Sequence, residues 1–172
     1  MSPSAIFLVG FMGSGKSTIG QELARRLGWL FVDLDAEIER NEHSTIPEIF
    51  RTRGEAAFRQ AETAALRRLL AAPHAHHSIV ALGGGAFAQE ENRDLLQPWP
   101  TVFLAAPPEE LWLRSGQDGA DRPLRKDRTQ FESLYWERLP FYQKATLTID
   151  TLGKDPASIC IEIEKALHLE RA

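Results

Sequence analysis

The chain has 172 residues, 43% hydrophobic and 26% charged, with a net charge of −4 and a pI near 5.8. That length fits one compact domain spanning 1–172, and the acidic balance argues against a dedicated nucleic-acid binder, which would normally be basic. Cys160 is the only cysteine, which excludes an intramolecular disulfide and a cysteine-built metal site. No apolar run approaches the roughly 20 residues that cross a bilayer. The N-terminus carries no basic region ahead of its apolar run, so a cytoplasmic protein without membrane attachment is expected.

In chain order, AIFLV (5–9) reads as a buried strand, and directly behind it GFMGSGKS (10–17) fits G-x-x-x-x-G-K-[ST]. Gly10, Gly13 and Gly15 let backbone N–H groups turn inward around phosphates, and the following helix adds the positive end of its dipole. Lys16 can reach the β and γ phosphates and the Ser17 hydroxyl can ligate Mg2+. Gly13, Ser14, Gly15, Lys16, Ser17 and Thr18 therefore form the candidate nucleotide site. The helix KSTIGQELARRL closes on Gly28 as a C-cap.

The next strand, LFVDL (30–34), leads to Asp33 and Asp35, which at i, i+2 share one face of its C-terminal end. Ligands of open α/β sheets bind there. One carboxylate can hold Mg2+ through water and the other accept a proton from a hydroxyl nucleophile; capping the helix AEIER is the competing role for either. Residues 36–72 then supply two or three helices where one would do, which reads as a substrate-binding insert. Its best helix, 54–72, carries Phe58, Arg59 and Glu62.

After strand SIVAL (78–82), the triplet Gly83, Gly84, Gly85 suggests backbone amides closely approaching a ligand, with a flexible connection as the alternative. Strand TVFLA (101–105) is followed by the polar, charged stretch 116–128, read as a mobile lid whose Arg122 can swing onto a transferring phosphoryl group. Arg138 stands beside Pro140, which should bend or end its helix. Guanidinium groups fork onto carboxylates, so Arg59 and Arg138 are candidates for holding an acidic acceptor. Strand TLTID (146–150) and helix DPASICIEIEKALHL (155–169), with Asp155 as N-cap, complete the chain. The alternation of strands and helices predicts an α/β fold: a five-stranded parallel sheet with helices on both faces. The histidines of PHAHH (73–77) read as a loop rather than a metal site, and Cys160 as core.

GFMGSGKST, DLD, IPEIFRTRGEAAFRQAE, GGGA, RPL and RLPFY follow one another as in the shikimate kinases, and nearly the whole chain resembles that family. The resemblance implies a three-layer P-loop kinase fold like that of the nucleoside monophosphate kinases. It implies ATP-dependent phosphorylation of the 3-hydroxyl of shikimate in aromatic amino-acid biosynthesis, by a monomer. By the same resemblance Asp35 binds the acceptor hydroxyls and assists deprotonation, while Arg59, Arg138 and the amides of Gly84 and Gly85 hold the carboxylate. Asp33 and Ser17 serve Mg2+, Lys16 and Arg122 the phosphates. Arg114 and the Lys154–Pro156 turn flank adenine, and Phe50, Phe58 and Glu62 shape the acceptor pocket. One departure is that Leu82 stands before the glycine triplet, so a conventional Walker B aspartate is missing and the metal rests on Ser17 and Asp33.

The residues alone specify a hydroxy-acid kinase without identifying shikimate as its acceptor. A gluconate-type kinase shares fold, size and phosphate loop but does not need the paired arginines. A nucleoside monophosphate kinase is weakened by the misplaced DGADRP, and a non-catalytic sensor domain should have lost Lys16, Asp35 or Arg122, all of which are present.

Overall fold

The computed structural model describes residues 3–72, 77–117 and 127–169. Strand β1 (Ala5–Val9) is buried at all five positions and lies at the centre of a parallel sheet. Beside it run β3 (Ser78–Ala81) and β4 (Thr101–Ala105), with β2 (Leu30–Asp33) and β5 (Leu147–Asp150) at the edges, in the order β2-β3-β1-β4-β5. The register pairs Phe7 with Val80 and Leu8 with Val102.

Alternation along these strands decides what covers each face. Phe7, Val9, Val80 and Phe103 turn to one side, under α2 (Leu34–Glu42), α3 (Ile46–Ala71), α5 (Pro108–Gln117) and α6 (Arg128–Tyr142). Ile6, Leu8, Ile79, Val102 and Leu104 turn to the other, where α1 (Lys16–Leu27) and α7 (Pro156–Ala166) pack through Ile19, Leu23, Ile159, Cys160 and Ile163. Both faces are thus covered, as an all-parallel sheet requires. A short 3-10 turn (Ala86–Ala88) and α4 (Glu90–Leu96) link β3 to β4.

The local signals act as expected at the C-terminus of α1 and the N-terminus of α7. Gly28 caps α1 at φ 73, its N–H donating to Ala24, and the Asp155 carboxylate accepts from the Ser158 N–H at the start of α7, with Pro156 in the first turn. Arg25 and Arg26 at the end of α1 face the negative pole of its dipole and also pair with Glu22 and Glu164.

Two boundaries depart from the sequence reading, and one holds inside a longer element. Strand β2 ends at Asp33, so Asp35 stands on the first turn of α2 rather than on the strand. The cause is Asp33 itself: its Oδ1 accepts from the N–H groups of Asp35 and Ala36, which starts the helix two residues early. The helix expected over 54–72 stands: Gly54, at φ 85 and ψ 173, leaves helical geometry in a conformation only glycine adopts easily, and divides the helical run 55–71 from a shorter one over 46–53 within α3. Finally, α6 runs through Pro140 to Tyr142. The proline removes one backbone bond and crowds the carbonyl four residues back, a cost of about 3 kcal/mol; burial of Phe131, Tyr135 and Tyr142 on the same helix, at roughly 1.5–3 kcal/mol for each large side chain, offsets it. The sequence-assigned lid, 116–128, lies outside the described residues except at its ends.

Candidate active site

At the C-terminal ends of β1, β2 and β3 lies a cavity of about 630 Å³. Its walls combine Gly13, Gly15, Lys16, Ser17 and Thr18 with Asp33, Asp35, Phe50, Phe58, Arg59, Glu62, Gly83, Gly84, Gly85 and Arg138. Most of the residues singled out from the sequence are therefore brought together in one space.

The phosphate-loop end is built by backbone. Gly15 takes the left-handed conformation as N-cap of α1, and its carbonyl accepts from the Ile19 N–H at 2.8 Å. Gly13, at φ 82, lies so close to α5 that an added Cβ would stand 2.7 Å from the Leu111 carbonyl. The Lys16 ammonium lies across the loop, donating to the carbonyls of Gly10 at 2.7 Å and Phe11 at 3.1 Å. Ser14 is buried, its side chain turned into the loop toward Gly10.

Asp33 has two jobs at once. One carboxylate oxygen caps α2, and the other, Oδ2, lies 3.5 Å from the Ser17 hydroxyl. Capping thus occupies one oxygen of this residue and leaves the other beside Ser17. A hydroxyl and a carboxylate oxygen side by side suit Mg2+, which commonly takes its other ligands from water and substrate phosphates.

The acceptor end is built by side chains. Glu62 is almost wholly buried; its Oε1 accepts from Arg59 at 3.0 Å while Oε2 has no partner among the described residues. Burial pushes its carboxyl up to about 7, against the opposing pull of Arg59. Asp35 is raised to about 6, first by burial and then by Asp33, and its Oδ1 is likewise unpartnered among the described residues. Both unpartnered oxygens converge on Gly83, where an added Cβ would stand 2.7 Å from Asp35 and 3.1 Å from Glu62. Arg59, stacked over Phe58 at 5.1 Å, presses its guanidinium against Gly85. Arg138 approaches Gly84 and lies over the Phe11 ring at 5.8 Å. Two cations thus flank two adjacent glycines, an arrangement suited to a carboxylate.

Four further candidates lie elsewhere. Pro156 stands in a neighbouring groove between α1 and α7, which Thr18 borders as well as the cavity. Arg114 pairs with Glu110 and donates to Thr151, and Lys154 pairs with Glu162. Arg122 lies outside the described residues. Among the described residues no group of three metal-ligating side chains occurs; of the histidine loop only His77 is described, in edge contact with Trp29. Tyr142 was not among the residues singled out from the sequence, yet its hydroxyl donates to the Gly84 carbonyl. Its spacing of i+4 from Arg138 was the available signal, obscured by the intervening proline.

The model of the shikimate kinase family matches residues 12–168. A shikimate kinase of Persephonella marina is 40% identical over 159 residues, covering 92% of this chain and 95% of its own. The structure of the Acinetobacter baumannii shikimate kinase in complex with shikimate superposes with a TM-score of 0.89 at 36% identity, over 96% of this chain and 93% of that one. A gluconokinase of Sinorhizobium meliloti, at 23% identity and a TM-score of 0.64, shares the fold over 96% of this chain and 92% of its own.

Proposed function

The chain belongs to the shikimate kinase family, and from that premise we propose how its residues divide the work. It is an ATP-dependent kinase that transfers the γ-phosphoryl group to the 3-hydroxyl of shikimate, a step of aromatic amino-acid biosynthesis. The three-layer sheet is that of the P-loop kinases.

ATP lies with its phosphates on the loop 10–17, where backbone N–H groups and the α1 N-terminus neutralise charge. Lys16, now bonded to loop carbonyls, exchanges those contacts for phosphate oxygens. Ser17 and Asp33 would hold Mg2+, which when bound neutralises phosphate charge and orients the transferring group. Arg59 and Arg138 grip the acceptor carboxylate with the amides of Gly84 and Gly85, while Phe58 and Glu62 shape the pocket. Asp35 receives the hydroxyl proton: its raised pKa makes it a better base than an exposed aspartate, and its side chain lines the cavity. We further assign Arg114, Lys154 and Pro156 to the adenine side and Arg122 to the phosphoryl group, on the family resemblance. We take 1–172 as one domain acting as a monomer in the cytoplasm on small molecules rather than nucleic acid or membrane, in keeping with the net charge of −4. No described helix is long and apolar enough to cross a membrane.

The observation that carries this reading is the convergence of Lys16, Asp35 and the Arg59–Arg138 pair on one cavity. ADP release with shikimate, gluconate or AMP as acceptor tests it, with turnover expected for shikimate alone. Asp35→Asn should lower kcat about a thousandfold, within the usual range for a lost general base, and leave ATP affinity unchanged within about twofold. Equal loss of both would remove Asp35 from the acceptor site.

A further inference from the structure

The five consecutive carbonyls from Gly83 to Phe87 are all taken by protein donors. Gly83 and Gly85 accept from the N–H groups of Ala86 at 3.1 Å and Ala88 at 3.2 Å. Ala86 accepts from the Asn92 amide at 2.9 Å and Phe87 from the Arg93 guanidinium at 2.8 Å. The fifth, Gly84, accepts from the Tyr142 hydroxyl. Against these tied carbonyls, the N–H groups of Gly84 and Gly85 have no acceptor among the described residues.

Tyr142 is fully buried, its ring 5.3 Å from that of Phe103. A phenylalanine would fill that place as well, and a buried hydroxyl costs free energy unless it is bonded. Burial pushes the hydroxyl up to about 12, so it remains a donor throughout the physiological range. The Gly84–Gly85 peptide is trans, so its C=O and N–H point in opposite directions. Fixing the carbonyl therefore fixes the amide. One turn earlier on the same helix, Arg138 reaches Gly84 from the cavity side.

We propose that Tyr142 is a positioning residue for the acceptor: by holding the Gly84 carbonyl behind the loop, its hydroxyl aims the Gly85 N–H into the cavity, where the acceptor carboxylate accepts it. The proposal rests on the reading that the carboxylate lies between Arg59 and Arg138. Helix α6 then delivers both a cation and an oriented amide, four residues apart, to one anionic group.

Tyr142→Phe keeps the ring and removes the donor. With shikimate its KM should rise about tenfold, the scale of one hydrogen bond to a charged group, while kcat and the KM for ATP hold. The same pair of proteins is assayed with the primary alcohol that replaces the shikimate carboxylate by CH2OH. There the variant and the parent should give the same KM. A KM unchanged with shikimate, or raised equally with both acceptors, would overturn the proposal. Should the parent itself fail to discriminate the two acceptors, it is the carboxylate clamp that is wrong. If the variant does not fold, the 15N-labelled parent decides: a Gly85 amide proton that moves downfield with shikimate and not with the alcohol supports the role, and one that ignores shikimate removes it.

Discussion

The loop after β1 and the loop after β3 leave neighbouring strands and offer backbone N–H groups to the same cavity. Glycine serves a different need in each. In the phosphate loop, Gly13 and Gly15 have φ of 82 and 91, a left-handed backbone that side chains disfavour. In the loop after β3 none of the three glycines has positive φ. Gly85, at φ −101, has an ordinary backbone, and what excludes a side chain is the Arg59 guanidinium. The first loop needs glycine for torsion, and at Gly13 for room as well; the second needs it for room alone. A torsional requirement is satisfied locally, whereas room depends on what other elements bring there.

Gly13→Ala attacks torsion and space together, since its Cβ would meet the Leu111 carbonyl and the Ser115 N–H. Strain of about 1–2 kcal/mol, added to a backbone clash, should weaken ATP binding about a hundredfold by calorimetry and lower Tm as well. Gly85→Ala leaves the backbone relaxed, and the nearest group it displaces is the Arg59 guanidinium. It should raise the KM for shikimate roughly tenfold, the scale of a lost charged hydrogen bond, with ATP affinity near that of the parent. If Gly85→Ala weakened ATP binding as much as Gly13→Ala, the division between the loops would collapse.

Glu62 sharpens the comparison through pH, because the crowding around Gly83 includes its unpartnered oxygen. Its carboxyl is raised from 4.5 to about 7, so between those values the folded protein holds more protons than the unfolded chain. Stability from this group is full below pH 4.5 and lost as pH rises through about 7. Asp35, raised to about 6, acts in the same direction. Glu62→Gln should flatten Tm between pH 5 and 8 and leave the slope due to Asp35; an unaltered profile would show that Glu62 is ionised throughout. Gly28→Ala gives the smallest effect. With φ 73 and nothing within 4 Å of its Cβ position, it tests torsion alone, and it should cost about 1 kcal/mol of stability without altering either KM.

Much of the fold was legible because its signals are local. Apolar runs marked the sheet, and Gly28 and Asp155 marked two helix ends. The candidate site was legible where one residue type in one spacing has one use, as in the phosphate loop. Asp33 was harder, since a carboxylate before a helix can cap or bind metal and its two oxygens here face separate partners. Arg59 and Arg138 stood out only as arginines in apolar company; their shared focus on Gly84 and Gly85 came from α3 and α6 packing on the same side of the sheet.

The sequence by itself determined the alternation of strands and helices, the phosphate loop and the caps, because torsions and bonds between near neighbours are set by the residues involved. Only the tertiary structure decided which distant groups meet. Tyr142 reaches Gly84 across 58 residues of chain, and Asp35 and Glu62 share the space above Gly83. Such meetings are fixed by how helices settle on a twisted, apolar sheet, a property of the assembled layers that no short window of residues contains.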